Sequence, residues 1–267
     1  MTSLICPVCG EELHKTKKQL SCARGHSFDI ARSGYVNLLL NAGKGRHGDD
    51  KLMVRARTRL LDKGYYDPLS RRVAALAAKY APPGALIVDS GCGEGKYSVE
   101  VMESVADCRL VGIDISREAL ICAAKRSRDM TLAVASSAAL PIQSGAADAV
   151  LNIFSPLSAG EFHRVLKRGG VLIRVYPLEN HLFELKKLIY DVPIVNPPEK
   201  MGLEGFRLLE VQEVKYRISL TCNEDIMALF MMTPYYYKTG RADQQKAEQA
   251  QALDTALEFG IAVYEKE

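Results

Sequence analysis

LIVDSGCGEGKYSVEV, residues 86–101, decides how the chain is read. An apolar run, Leu86, Ile87 and Val88, ends in Asp89. Glycines then stand at alternate positions, Gly91, Gly93 and Gly95, before a segment with helical spacing, Tyr97, Val101 and Met102. A buried strand, a tight glycine turn and a helix account for this order. Glycine belongs where the backbone turns sharply and a ligand must come close.

The spacing G-x-G-x-G differs from the dinucleotide fingerprint G-x-G-x-x-G, which seats a pyrophosphate on a helix N-terminus. This turn carries two acids, Asp89 and Glu94, and so suits a cationic ligand without phosphate. S-adenosylmethionine, with an ammonium and a sulfonium, is such a ligand. The next apolar run, LVGID, ends in Asp114, 25 positions after Asp89. Doubly wound folds place a ribose-binding carboxylate at about that distance. The competing reading is an ordinary strand-to-helix turn with no ligand, and the glycine spacing makes a dehydrogenase remote.

Outward from this turn, strands are predicted near 86–89, 109–114, 131–135, 148–154, 171–177, 206–220 and 259–265. Helices are predicted after Gly95, from a Ser116 cap to about Lys125, near 160–167, 179–190 and 223–231, with 241–258 helical by propensity. Alternating strands and helices imply a doubly wound α/β fold with a mainly parallel, seven-stranded, Rossmann-like sheet and an antiparallel final strand.

At 267 residues, 48% apolar and 25% charged, the composition is that of a globular protein of one or two domains. No apolar segment is long enough for a membrane span. The start, MTSLICPVCGEE, lacks the basic and apolar regions of a signal peptide, which predicts a cytoplasmic protein. The net charge of +3 is the balance of +8 over residues 1–83 and −5 over residues 84–267. A basic front on a mildly acidic body points to a polyanionic partner met by the front, with a plain solvated surface as the alternative.

Seven cysteines in such a chain argue against a disulfide framework. Cys6, Cys9, Cys22 and His26 form C-x2-C-x12-C-x3-H, the spacing of a structural tetrahedral zinc site. His14 competes for the fourth position, and the knuckle spacing favours His26. The link between knuckles, EELHKTKKQL, suits a small hairpin, and the metal supplies folding energy that so small a module lacks. Cys108, Cys122 and Cys222 read as small buried residues, and Cys92 as a side chain that fits the glycine turn rather than a nucleophile.

The zinc module is assigned residues 1–40, with FDIARSGYVNLLL (28–40) supplying apolar contacts to the rest of the chain. Residues 41–83 form a linking region: a basic loop with Lys44, Arg46 and His47, then two helices over 51–80 broken near Gly64 and Pro68. The loop serves either phosphate contact or simple linkage. Ala81-Pro-Pro-Gly84 marks the start of the α/β domain, 84–267.

With CPVC…CARGHSFDIARSGYVNLL, GYYDPL, VDSGCGEGKYS, ASSAALP, NIFSP, NHLFELK and MTPYYY in view, the chain resembles the zinc-containing large-subunit (23S) ribosomal RNA guanine-N1 methyltransferases, within the class I S-adenosylmethionine-dependent methyltransferases. The resemblance covers nearly the whole chain. It implies zinc on Cys6, Cys9, Cys22 and His26, and cofactor contacts at Tyr66, Gly93, Glu94 and His181. The wider superfamily pattern adds Asp89, Gly91, Gly95, Asp114 and Ser136. Where the family often has arginine and tyrosine before the proline of strand four, this chain has Asn152-Ile153-Phe154-Ser155-Pro156, so the choice of guanine stays open. Asn152 and Pro156, at the carboxyl end of that strand, are expected to wall the base pocket.

The implied activity is methyl transfer from S-adenosylmethionine to N1 of a guanine in a ribosomal RNA hairpin. Guanine N1 takes part in Watson–Crick pairing, so the target must lie in a loop or be flipped out. Catalysis is expected from positioning and desolvation, with no proton acceptor assigned. The zinc module and basic loop are expected to grip RNA, and a homodimer is one assembly open to it. A small-molecule methyltransferase with a purely structural zinc module and a non-catalytic RNA-binding scaffold are the alternatives.

Overall fold

In the computed structural model, which describes residues 3–40 and 48–267, the strand at Leu86–Ser90 is buried at all five positions. That is the environment of a central strand covered on both faces. Four short strands precede it: β1 (His14–Lys15), β2 (Gln19–Ser21), β3 (Ser27–Asp29) and β4 (Tyr35–Asn37). Two helices come next, α1 (Lys51–Asp62) and α2 (Asp67–Tyr80), then β5 (Leu86–Ser90) itself. The order continues with α3 (Lys96–Ser104), β6 (Arg109–Asp114), α4 (Arg117–Arg126), β7 (Thr131–Val134) and β8 (Ala147–Ile153). Then come α5 (Ala159–Val165), β9 (Leu166–Pro177), α6 (Phe183–Ile189), β10 (Phe206–Leu220), α7 (Asn223–Met231), α8 (Arg241–Gln249) and β11 (Leu253–Lys266).

Strands β1 to β3 make a small antiparallel sheet. The large sheet runs β10-β11-β9-β8-β5-β6-β7-β4. Its centre, β9-β8-β5-β6-β7-β4, is parallel, and β11 and β10 add antiparallel at one edge. The chain winds outward from β5 through β6 and β7 on one side, and from β8 through β9 on the other. The switch point therefore lies between β5 and β8, where such sheets hold ligands at the carboxyl ends.

The seven expected strands are all present, and an eighth, β4, comes from the N-terminal region. It pairs in parallel with β7, Tyr35 to Asn37 against Leu132 to Val134. Leu4, Leu13 and Leu20 of the ribbon are buried in one cluster with Val36, Leu38, Val111, Ile113 and Ile142 of the large sheet's side. The front end thus shares its apolar core with the sheet. The helical propensity of 241–258 holds only to Gln249. From Leu253 the alternation of Thr255, Leu257, Phe259 and Ile261, all buried, draws the chain into β11 instead. Cys108, Cys122 and Cys222 are partly rather than fully buried. The basic loop positions Lys44, Arg46 and His47 lie outside the described residues.

Helix α1 is capped by Asp50, whose carboxylate accepts from Leu52 and Met53 amides. It docks on α7 through Asp225, a buried acid that receives Arg59 Nε at 2.5 Å and pairs with Lys63. Among the described residues no helix is long and apolar enough to cross a membrane.

The β9–β11 seam has no slack. Gly260 lies opposite Tyr176, and a Cβ at Gly260 would stand 2.2 Å from Tyr176 Cζ. Gly260→Ala is expected to force the ring aside at a cost of about 1–3 kcal/mol. Urea titration should show a lower midpoint with an unchanged slope; an unshifted midpoint would show that the seam can yield.

Candidate functional site

The carboxyl ends of β5, β6 and β8 open into a cleft of about 440 Å³. Its lining includes Asp89, Gly91, Gly93, Glu94, Asp114, Ser136, Phe154, Ser155 and Pro156. The three glycines of the turn have positive φ, +88°, +53° and +74°, but different neighbours. A Cβ at Gly91 would collide with Ser155 at 2.4 Å. Gly95 is packed against Ala123 and Met130, behind the cleft, while Gly93 faces Arg57 with room between.

Two acids expected from the sequence hold distinct positions. Asp114 Oδ2 accepts the Gly93 amide at 2.9 Å and Oδ1 accepts the Ser116 amide at 2.7 Å, which fixes the carboxylate beside the turn. Asp89 is only 1% exposed. Its Oδ2 accepts from Ser98 Oγ at 2.5 Å, and its Oδ1 has no hydrogen-bond partner among the described residues. Burial pushes the Asp89 carboxyl up to about 7, against the Ser98 hydrogen bond and with help from the Asp114 charge. An orphaned, buried carboxylate oxygen at the cleft is a docking point for a cation.

Glu94 is already paired. Arg57 of α1 places Nε 2.9 and 2.8 Å from the two Glu94 oxygens and Nη1 2.6 Å from Asp49. Burial opposes a charge on Arg57, but the two carboxylates outweigh it and keep the guanidinium ionised. Asp49 is anchored in turn, its carbonyl accepting from Ser116 Oγ at 2.8 Å. Neither Arg57 nor Asp49 is among the residues expected from the sequence. The available signal was Val54, Arg57 and Leu61, spaced three and four apart, which puts one arginine on the buried face of an otherwise apolar stripe.

Tyr66, His181 and Asn152 do not line the cleft. Tyr66 is buried with its ring 5.8 Å from Phe259, and His181 stacks 4.6 Å from the same ring. Burial, with the Lys186 charge, holds His181 down to about 3, so the imidazole is neutral, and Nδ1 accepts the Glu258 amide at 3.2 Å. Asn152 lies beneath the floor. Its amide donates to Ser155 Oγ at 2.6 Å and to the carbonyls of Ser155 and Pro156 at 3.2 and 3.3 Å.

At the front end, Cys6, Cys9, Cys22 and His26 converge, their ligand atoms within 4.8 Å of one another. The Cys22 Sγ–His26 Nδ1, Cys6 Sγ–His26 Nδ1 and Cys9 Sγ–Cys22 Sγ separations are 3.3, 3.6 and 3.6 Å. Tetrahedral zinc requires edges of roughly 3.5–3.8 Å for these donors. Against the desolvation that would raise it, hydrogen bonds from the His26 backbone, Cys9, the His26 side chain and the Arg24 backbone bring the Cys22 thiol down to about 6. His14, on β1, is not part of the group.

Known proteins share both halves of this arrangement. A zinc-ribbon model described as RlmA, N-terminal, matches residues 4–44, and a methyltransferase-domain model matches residues 87–170. YxjB of Bacillus subtilis, provisionally named a 23S rRNA (guanine-N(1)-)-methyltransferase, is 32% identical over 270 residues, which span 97% of this chain and 95% of the relative. The 23S rRNA (guanine(748)-N(1))-methyltransferase of Streptomyces fradiae is 40% identical over 185 residues, spanning 68% of this chain and 66% of the relative. This chain belongs to the 23S rRNA (guanine-N1-)-methyltransferase family.

For a member of that family, the two halves account for two groups: zinc, for which the ribbon offers the Cys3His cluster, and S-adenosylmethionine, the cofactor of the methyltransferase half. Cys22→Ser should drop bound zinc from one ion per chain to well under half, measured by metal analysis. It should also expose residues 1–40 to limited proteolysis. Full zinc retention would remove Cys22 from the ligand set.

Asp89 makes the cleft pH-sensitive. Its folded-state pKa is raised, so its contribution to stability is present below the unfolded value near 4 and fades as pH rises through about 7. A cationic ligand favours the ionised form, so S-adenosylmethionine affinity should climb between about pH 5.5 and 7.5. Calorimetry across that range should find the slope in the native protein and a flat, weaker profile in Asp89→Asn. Equal slopes would mean that another group titrates.

Proposed function

We propose that this chain transfers a methyl group from S-adenosylmethionine to N1 of a guanine in a large-subunit (23S) ribosomal RNA hairpin. The observation that carries the proposal is the union, in one chain and one shared core, of a Cys3His ribbon with a cleft whose buried Asp89 oxygen lacks a partner among the described residues. One relative named for that reaction aligns over nearly the full length, and two more align over about two thirds.

When bound, the cofactor supplies a methyl group activated by its sulfonium charge. The chain's own part is to bind and orient. Asp89 receives the ammonium, the 91–95 backbone wraps the methionine portion, Asp114 takes the ribose hydroxyls and Ser136 borders the pocket. Glu94 lines the pocket, held by its pair with Arg57, and Tyr66 and His181 contribute from behind it. Pro156 walls the side where the base enters, and Asn152 fixes the turn that presents it. Guanine reaches the cleft unpaired and unstacked.

The labour divides along the chain. Residues 1–40 recognise RNA, with Lys15, Lys17 and Lys18 exposed on the first hairpin. Residues 41–83 link, and residues 84–267 perform the transfer. The activity belongs in the cytoplasm, where thiolate ligands stay reduced.

Incubation with a naked 23S hairpin and labelled cofactor should yield one primer-extension stop at a guanine. Raising salt from about 50 to 200 mM should weaken RNA affinity at least about tenfold while cofactor affinity holds. Labelling of small molecules without any RNA stop would favour a small-molecule methyltransferase instead.

A further inference from the structure

Phe154 is the odd residue of the cleft. It is 46% exposed, although large aromatic rings usually bury themselves. Its φ is +53°, a left-handed conformation that is costly for a bulky side chain. It follows the last residue of β8 at the switch point and lines the cleft. The structure spends several contacts on keeping it there. Asn152 ties down the adjoining turn through Ser155 and Pro156, and Ser155 Oγ donates to the Ser90 carbonyl at 2.5 Å. The Ser155 side chain fills the space left by Gly91, so the turn carrying Phe154 is keyed to the cofactor loop. Behind the ring stands Phe259, 5.4 Å away and fully buried, itself flanked by His181, Tyr66 and Tyr216 at 4.6, 5.8 and 6.3 Å.

We infer that Phe154 is the platform on which the flipped target guanine stacks, held rigid by the buried aromatic group around Phe259 and oriented by the Asn152–Ser155–Ser90 hydrogen bonds. The inference deepens the methyl-transfer reading above and rests on it. A free purine offers a planar face, and stacking on an exposed aromatic ring holds it without reading its edge. That leaves N1 free to face the methyl donor. Leu61, Tyr97, Ile115 and Ile153 also line the cleft, but they are buried or half-buried, which leaves Phe154 as the exposed aromatic ring on which a base can settle. Tyr66 and His181 then act as positioning residues, one ring removed from the substrate. Asn152 shapes the pocket without touching the base.

The test compares the native protein with Phe154→Leu and Phe154→Tyr on the 23S hairpin. Leucine keeps apolar bulk and meets the same backbone constraint, while tyrosine keeps the ring. Phe154→Leu should lose roughly five- to hundredfold in kcat/KM for RNA, with cofactor affinity within about twofold of native and an unchanged thermal midpoint. Phe154→Tyr should keep at least about half of native turnover. The platform is overturned if Phe154→Leu methylates as well as native protein, if Phe154→Tyr is as poor as Phe154→Leu, or if cofactor affinity falls in step with turnover. A native protein inert on the hairpin would sink the function and the platform together, whereas an active native protein with unimpaired Phe154→Leu would sink the platform alone.

Discussion

An arginine held between two carboxylates ties the helical front of this molecule to its cofactor turn. Arg57 reaches from α1 to Glu94 in the glycine turn and to Asp49 just before the helix. The Glu94 side chain is 2% exposed. A charge so buried is tolerable only while paired, and stranding it costs about 3–5 kcal/mol. Helix α1 therefore cannot drift from the turn without leaving a bare carboxylate. Asp225 repeats the device at the other end of α1, where Arg59 and Lys63 meet it on α7. The cofactor cleft inherits its rigidity from these two anchors.

The same economy joins the metal module to the sheet. A three-stranded ribbon of this size has little apolar surface to bury by itself, so zinc closes one end and the large sheet covers the other. Leu4, Leu13 and Leu20 are shared property of both parts. The Ile5 amide donates to the Pro141 carbonyl at 2.9 Å, and β4 extends the sheet beside β7. Under the proposed division of labour, RNA on the ribbon is held by a body continuous with the cleft. That continuity lets positioning, the main means of catalysis open to such an enzyme, extend from the polyanion to the base.

Local pattern made most of the fold legible. The buried run before Gly91, the Ser116 cap and the break near Gly64 each declare an element within a few residues, and the cysteine spacing declares the metal cluster outright. What stayed hidden depends on partners far away in sequence. Residues 253–258 have helical neighbours, and only pairing with β10 makes them strand. Tyr35 to Asn37 read as packing residues of the zinc module until β7 offers an open edge. Glu94 reads as a free acid in the turn, because Arg57 lies 37 positions earlier. Asn152 reads as a pocket wall because strand ends bear ligands, yet its amide is consumed by Ser155 and Pro156 three and four residues on. The backbone sign at Phe154 leaves no compositional trace, since only glycine and asparagine advertise left-handed positions.

Charge is sorted along this chain in a way that fits the proposed separation of RNA recognition from methyl transfer. Asp49, Asp89, Glu94 and Asp114 face the cleft, and among the described residues lining it Arg57 is the one cation, already committed to two of them. Such a cleft welcomes a cationic cofactor and repels a phosphate backbone. The nucleic acid must therefore be held elsewhere, and residues 1–83 carry the surplus of +8 that can hold it. A strand gripped there but refused at the cleft can present only its uncharged part, a base swung away from its phosphates. The acids proposed to bind the methyl donor would thus also select what approaches it: a neutral purine face rather than the polyanion that bears it.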